Sequence, residues 1–572
     1  MINRRNAVLG VCAVLAAAIA VPAQTAAPAK TSGPWWKDAV IYEIYPRSFG
    51  DSNGDGIGDL NGITKHLDYL ADLGVDAIWI APFYPSPQVD FGYDISNYEA
   101  IDPQYGTMAD FDRLVSEAGK RNIRVVTDLV LNHTSDRHPW FTESRSSRTN
   151  PKADWYMWHD AAANGGPPNN WISGFGHSAW QWEPQRSQYY YHMFYKEQPD
   201  LNWDNRDMRN AMYDMIRGWM KRGVAGFRLD AITTLFEDPE FRDEKVLPGV
   251  GPFGDPVVAH EYTDNLPRVH EVIRELRQVA DQFPDRVLIG ETYLPNVQEL
   301  AKMYGARNDE FQLPMDTQLG FLNHLSADEF RDKLRDAETE INGNTPLFVF
   351  DNHDNRRSWD RYGDGVHDAA IARLIATVLL TPRCAALMYY GQELGMDNSD
   401  PKRREDVRDP IGITGWPKEK GRDGERTPMQ WDDSPNAGFS TAAKTWLPVA
   451  SDYRKRNVSV EGSDPDSLLN YYKALIRLRK DNSAIRDGEF ALVNETDHNV
   501  LSYLRRAADG TAVLVALNLS AKPQTVSFNL ESHGLHGRHA STLLSSYEKA
   551  GQSADVNNMV LPAFGSWVGQ IQ

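Results

Sequence analysis

Cysteine is scarce: the 572 residues hold two, Cys12 and Cys384. Cys12 falls in an N-terminal segment that reads as a removable leader, so the mature chain keeps one thiol and cannot form an intrachain disulfide. Cys384 precedes the apolar run 385–388 and is expected as a buried structural thiol. Positive charge is in deficit as well. Lys and Arg number 60 against 79 Asp and Glu, a net charge of −19, which argues against nucleic acid or an anionic membrane surface as partner. The apolar stretch at residues 7–21 is shorter than the roughly 18–20 residues a spanning helix needs. With Arg4 and Arg5 ahead of it and Val21, Pro22 and Ala23 behind, it has the form of an export leader over residues 1–23, followed by a flexible linker over 24–33. The mature protein is expected to be exported, periplasmic or secreted, with no membrane attachment. Neither a solenoid repeat nor a coiled-coil heptad is found.

What is present is alternation of strand and helix patterns. Apolar, β-rich runs at residues 39–45, 75–80, 123–129, 224–229, 287–291, 311–315, 346–350 and 386–390 read as eight strands. Helical periodicity at 61–73, 111–120, 212–221 and 269–282 falls between them. Eight strands with intervening helices predict parallel βα units closed into an α/β (β/α)8 TIM barrel. A stretch rich in Trp, Tyr, Asn, Pro and Gly, residues 138–205, is too long for a loop and predicts an inserted subdomain after strand 3. It divides the barrel into residues 34–137 and 206–485. The charged run 397–427 also exceeds a plain connector, and reads either as a lid or as a solvated insertion. Beyond about residue 486 the pattern changes to short alternating strands at 500–504, 512–517 and 524–528, predicting a C-terminal antiparallel β domain over 486–572 with a packing role.

Chemistry concentrates at strand ends. In the run 224–231, a period of two puts Arg228 and Asp230 on one side of the strand. An arginine beside a carboxylate favours its ionised form, so Asp230 is expected to be an anion at neutral pH. A lone Arg-x-Asp is usually a structural ion pair. Here the arrangement recurs: Asp128, Glu291, and the pair Asp351 and Asp354 each follow a predicted strand. Four acidic positions at the C-terminal ends of four parallel strands mark an active site. The 16 Trp and 24 Tyr can fill a core and leave aromatics over, a surplus that suits a sugar cleft and is also common in large cores.

These stretches allow a comparison. In order they are Asp128-Leu-Val-Leu-Asn132-His133, Gln198-Pro-Asp-Leu-Asn202, Gly226-Phe-Arg-Leu-Asp230, Gly290-Glu291-Thr292, Asn352-His353-Asp354 and Arg426-Thr-Pro-Met-Gln-Trp431. As a set the chain resembles the α-amylase superfamily of glycoside hydrolases, in its α-glucosidase and oligo-1,6-glucosidase branch. The resemblance implies an exo-acting, retaining double displacement on short oligosaccharides, with Asp230 as nucleophile, Glu291 as acid and base, and Asp354 as the third acid. Retention requires the first two carboxyls about 5–5.5 Å apart. It further implies substrate-binding roles for Asp90, Tyr93, His133, Arg228, His353 and Arg426, the last closing the pocket by pairing with Asp90. Asp94 and Asp128 are expected to hold loops together. Ala231, next after the nucleophile, leans towards α-1,4 linkages, while Ile232-Thr233 departs from the Ile-Asn or Val-Asn of many relatives. Transglucosylating relatives such as sucrose isomerase, trehalose synthase or glucosyltransferase share these acids and form the alternative. An endo-amylase, or an inactive superfamily member serving as a binding ectodomain, ranks below it. No organic cofactor is implied.

One further pattern concerns a metal. Asp51, Asn53, Asp55 and Asp59 place oxygens at alternate residues among Gly54, Gly56 and Gly58, as in the first part of a calcium loop. Gly62 stands where an EF-hand has its glutamate, so an EF-hand is excluded. The resembled family carries such a loop after its first barrel strand. Structural Ca2+, with Mg2+ as the alternative, is expected on Asp51, Asn53, Asp55, the Ile57 carbonyl and Asp59. The competing reading is a metal-free turn stitched by Asx side chains.

Overall fold

The computed structural model describes residues 33–572; the leader and nearly all of the linker lie outside them. Eight parallel strands close into a barrel in chain order: β1 Val40–Ile44, β2 Ala77–Ile80, β3 Arg124–Val130, β4 Gly226–Asp230, β5 Val287–Gly290, β6 Leu313–Asp316, β7 Leu347–Val349 and β8 Ala385–Tyr389. Each matches a predicted strand to within a few residues. They were legible because strands covered on both faces are nearly continuous apolar runs.

The period of two then sorts side chains into two shells. Ile41, Trp79, Val126, Ile289, Met315 and Leu387 fill the barrel interior. Val40, Ile78, Val125, Phe227, Leu288 and Phe348 point out against the helices. The inward parity continues upward. Glu43 follows Ile41, Asp128 follows Val126, Arg228 and Asp230 follow Gly226, and Glu291 follows Ile289, so five ionisable groups stand above the apolar layers at the strands' C-terminal ends. Gly226 permits the close approach of β4 and β5, since a Cβ there would lie 2.1 Å from the Val287 carbonyl oxygen. The register pairs Leu229 with Gly290, which sets Asp230 beside Glu291.

Three excursions stand over this end. Between β3 and β4 lie the helix Pro139–Ser146 and a three-stranded sheet of Trp158–His159, Gln188–Tyr191 and Trp180–Glu183. After β4 the chain makes a second departure that the sequence did not announce, with a hairpin of Val246–Val250 and Pro256–Val258. The third is the 397–427 segment, which contains the short helix Pro410–Gly415. A six-stranded antiparallel sheet beginning at Glu489 and a two-stranded sheet, Gln524–Val526 with Met559–Leu561, form the C-terminal unit. Its Leu501, Tyr503, Val513 and Val515 share one apolar cluster with the barrel helices. The single helix expected over 61–73 is two, Leu60–Lys65 and Leu67–Leu73, separated at His66. No helix among the described residues is long and apolar enough to cross a membrane.

Candidate active site

Arg228 is the hub. Its Nη1 lies 3.1 Å from both carboxylate oxygens of Asp128 and 2.6 Å from Oδ1 of Asp230, and its Nη2 lies 2.5 Å from Oε1 of Glu291. The guanidinium also packs over the Trp79 ring, 4.9 Å from its centroid. One cation thus gathers three carboxyl groups. The other oxygen of Glu291 accepts the backbone N–H of Ala231 at 2.7 Å. That bond depends on a left-handed turn, φ 43° and ψ 38°, at a residue with a Cβ. Such a conformation costs on the order of 1 kcal/mol or more and persists where surrounding structure enforces it. Here it aims an N–H at the carboxyl beside Asp230.

A cavity of about 410 Å3 opens above the hub. Of the nine residues expected to be catalytic or substrate-binding, six line it: Asp90, Tyr93, His133, Asp230, Glu291 and Asp354. Arg228, His353 and Arg426 lie behind the wall, each no more than 1% exposed. His353 is stacked between Tyr45 and Tyr93 and its Nδ1 meets Oε1 of Glu43 at 2.6 Å. Its Nε2 lies 2.7 Å from the Tyr93 hydroxyl. Gln198 bridges the first-subsite residues, with its amide nitrogen 3.2 Å from Oδ2 of Asp90 and 3.0 Å from Nε2 of His133.

The pairing of Arg426 with Asp90 is not what the structure shows. Arg422 holds Asp90, with Nη2 2.9 Å from Oδ1, and also Asp354, with Nη1 2.8 Å from Oδ1. Asp409 anchors it, 2.7 Å from Nε. Arg426 turns the other way. Its Nε donates to the His353 carbonyl at 2.7 Å, and its Nη2 reaches only Asp354, at 2.9 Å. The sequence reading missed Arg422 because it lies four residues ahead of the motif that drew attention to Arg426, in a segment without periodicity. It also missed Phe175 and Phe194 of the inserted region, Tyr293, Ile411 of the short helix, and Asp264, all on the cavity wall.

Electrostatics separates the acids. Burial pushes Glu291 up to about 8, against the pull of Arg228 and with the push of Asp230 and Asp354. Burial also raises Asp230, to about 7, with Arg228 lowering it and Asp128 raising it again. Asp230, expected as an anion at neutral pH, is held less firmly in that form than an arginine of its own would hold it, because one guanidinium is divided among three buried carboxyls. Asp128, also raised by burial, comes to about 6. The proton that this cluster keeps at neutral pH resides chiefly on Glu291. Burial acts on Asp354 too, but the charges of Arg422 and Arg426 outweigh it and hold that carboxyl well below the usual range. Burial drives His353 itself well below its ordinary value, so it is neutral and the two arginines carry the charge.

At the expected metal loop the oxygens are turned to the backbone. Asp51 accepts N–H groups from Asn53, Gly54 and Gly56, Asn53 accepts from Asp55, and Asp55 from Ile57. Asp59 caps the helix Leu60–Lys65 through Gly62 N–H and also accepts from Ser52. Among the described residues no three His, Cys, Asp or Glu side chains converge as a metal site does. By donor type Asp51, Asn53, Asp55 and Asp59 suit a hard cation, and each already accepts hydrogen bonds within the loop and its surroundings, both oxygens of Asp51 and of Asp59 included.

Comparison with known proteins agrees with this geometry. The family model described as "Alpha amylase, catalytic domain" matches residues 43–488. A probable alpha-glucosidase of Rhizobium meliloti is 44% identical over 519 residues, covering 87% of this chain and 93% of that protein. An oligo-1,6-glucosidase of Parageobacillus thermoglucosidasius is 39% identical over 553 residues, covering 90% and 95%. Among solved structures, the alpha-glucosyl transfer enzyme XgtA superposes with a TM-score of 0.86 at 40% identity, covering 94% of this chain and all of that one. The trehalulose synthase MutB gives 0.85 at 36% identity, with 94% and 100% covered. A closed parallel barrel with an Asp–Glu–Arg hub at its C-terminal mouth, matched along most of its length, makes this chain a member of the alpha-amylase family of glycoside hydrolases.

Proposed function

We propose that the protein is an exo-acting, retaining α-glucosidase that removes terminal glucosyl units from short α-linked oligosaccharides. The observation that carries this is the pair Asp230 and Glu291, which line one cavity and are drawn together by two nitrogens of one guanidinium. A side-by-side pair is the arrangement a covalent relay needs, whereas inverting enzymes hold their carboxyls about 6.5–9.5 Å apart to admit water. In the first step Glu291 gives its proton to the glycosidic oxygen, Oδ of Asp230 bonds to C1, and the leaving sugar departs as an alcohol. In the second, the Glu291 carboxylate takes a proton from water, the water oxygen bonds to C1, and the ester to Asp230 breaks to give α-glucose. Asp354, ionised between two arginines, faces the sugar and offsets the positive charge of the oxocarbenium-like transition state. The Asp90–Arg422 pair, backed by Gln198, forms the wall that meets the non-reducing end, which supports removal of terminal units rather than cleavage within a chain.

Release of glucose from p-nitrophenyl α-glucoside and maltose tests the reading. Wild-type protein should release it, and Asp230→Asn and Glu291→Gln should each lose it by about 10^4-fold or more on maltose, the scale seen when a catalytic group is removed. Activity persisting in both variants would refute the assignment. Ala231 supports a preference for α-1,4 bonds, measured by maltose against isomaltose. Likeness to a glucosyl transfer enzyme and to a trehalulose synthase favours one second reading, in which a sugar hydroxyl replaces water in the second step. Chromatography of products from maltose and sucrose separates the two.

The N-terminal leader supports export, tested by fractionation and N-terminal sequencing of the mature protein. The loop of Asp51, Asn53 and Asp55, with the Ile57 carbonyl, supports a structural Ca2+ or Mg2+ remote from the reacting bond. Chelation should lower the melting temperature and Ca2+ restore it, whereas an unchanged transition and no bound metal by mass spectrometry would favour the metal-free turn.

A further inference from the structure

Among the described residues, Asp264 is the one carboxylate on the cavity wall that no side chain or backbone group holds. Asp90 is held by Arg422 and Gln198, Asp230 by Arg228, Glu291 by Arg228 and the Ala231 N–H, and Asp354 by Arg422 and Arg426. Asp264 lines the same cavity, yet makes no ion pair, and its Oδ1 is buried without a hydrogen-bond partner among the described residues. A buried acceptor left unmade costs about 1–3 kcal/mol. Native structures keep few of them, and one on the wall of an active-site cavity is accounted for if a ligand supplies the donor.

Its position along the chain says which part of a ligand that is. Asp230 ends β4, and Ala231 to Thr233 climb from it towards the mouth. The chain then leaves through the hairpin and returns at Asn265, whose N–H donates to the Thr233 carbonyl at 2.8 Å. Asp264 is thereby fixed beside Thr233, three residues past the nucleophile at the C-terminal end of β4, and both residues line the cavity with Asp230. A glucosyl ring seated on Asp230 with its non-reducing end towards Asp90 and Arg422 turns its leaving group outward, to the level of Asp264. In that pose the ring's own hydroxyls fall to Asp90, His133 and Asp354, which leaves Asp264 for the other sugar.

We infer that Asp264 is a specificity residue for the leaving group, and for the acceptor in transfer, accepting a hydrogen bond from a hydroxyl of a sugar or polyol there. The inference rests on the α-glucosidase reading and adds to it the residue that selects a hydroxylated partner over one without hydroxyls. It predicts a difference between substrates, not a general loss. The same protein preparation is assayed on maltose, whose leaving sugar is hydroxylated, and on α-glucosyl fluoride, whose leaving fluoride is not. Asp264→Ala should lower kcat/KM for maltose about 10- to 100-fold, the value of a hydrogen bond to a charged group. It should leave the fluoride within about twofold, and that second rate also shows that the variant is folded. Asp264→Asn, which keeps an acceptor oxygen, should recover part of the maltose rate. In transfer assays with glucose as acceptor, Asp264→Ala should shift products towards hydrolysis. Equal losses on both substrates would show a merely structural role and overturn the inference, as would no loss on either. Wild-type protein inactive on both substrates would instead bring down the α-glucosidase reading, and this inference with it.

Discussion

At the scale of single residues, the site is governed by how little positive charge is shared among how many acids. Arg228 serves three carboxyls, so the proton stays in the cluster at neutral pH, on the group raised furthest. Catalysis needs Asp230 ionised and Glu291 protonated, and the sign of each limb follows. As pH falls through about 7, protonation of Asp230 removes the nucleophile; as pH rises through about 8, loss of the Glu291 proton removes the acid. The pH profile of kcat/KM is therefore expected to be a narrow bell with its optimum between those values, which describe the coupled pair. In Glu291→Gln the alkaline limb should vanish on α-glucosyl fluoride, whose leaving group needs no proton. Arg422 offers a second check. Among the described residues it alone pairs with Asp90 and Asp409, and removing one partner of a buried ion pair costs about 3–5 kcal/mol. Arg422→Ala should lower kcat/KM for maltose by at least about 100-fold, with Asp409→Asn giving a smaller loss in the same direction through misplacement of the guanidinium. An Arg422→Ala protein as active as wild type would show that the Asp90 wall does not grip the sugar.

At the scale of elements, the barrel was readable and its superstructure was not, for one physical reason. Strands such as Ala385–Tyr389 and Val287–Gly290 are buried on both faces, and continuous apolarity survives in the sequence. The excursions are held by particular contacts that leave no period. The hairpin tip shows this: Phe253 packs where a Cβ on Gly176 would sit, 2.6 Å from its Cγ, and where one on Gly415 would meet its ring at 3.2 Å. One side chain thus joins the hairpin to the inserted region and to the helix Pro410–Gly415 over the cavity. Nothing around Phe253 in the sequence foretells it, so the hairpin and Asp264 both went unread. Asp230, Glu291 and Asp354 were legible because inward parity at a strand end is written in the order of residues, whereas Arg422 belongs to a connection whose path only tertiary contacts fix. A consequence is testable. Gly176 has φ +90°, so Gly176→Ala meets both backbone strain and the Phe253 ring, a local cost of about 1–3 kcal/mol. The expected result is a raised KM for maltose with kcat nearly preserved; an unaltered KM would mean that this junction does not shape the mouth.

At the scale of the molecule, the C-terminal sheet and the barrel share a core instead of merely touching. Arg505, fully buried, donates to the Thr381 carbonyl at 2.6 Å and to the Gly488 carbonyl at 2.9 Å, and Tyr503 meets the Thr381 hydroxyl beside it at 2.5 Å. Arg331 reaches across in the other direction to the Val500 carbonyl at 3.0 Å. Arg505→Ala would strand buried carbonyls and is expected to cost about 3 kcal/mol or more, with a single, lowered calorimetric transition. Two separated transitions would show the units to be independent. The account as a whole depends on Asp230 bonding to the sugar while Glu291 attends its leaving oxygen. The most direct measurement is mass spectrometry of the intact protein and its peptides after incubation with 5-fluoro-α-glucosyl fluoride. A single added fluoroglucosyl group on the peptide holding Asp230, absent from Asp230→Asn, is the predicted result; an active enzyme whose label falls on another residue would contradict the account.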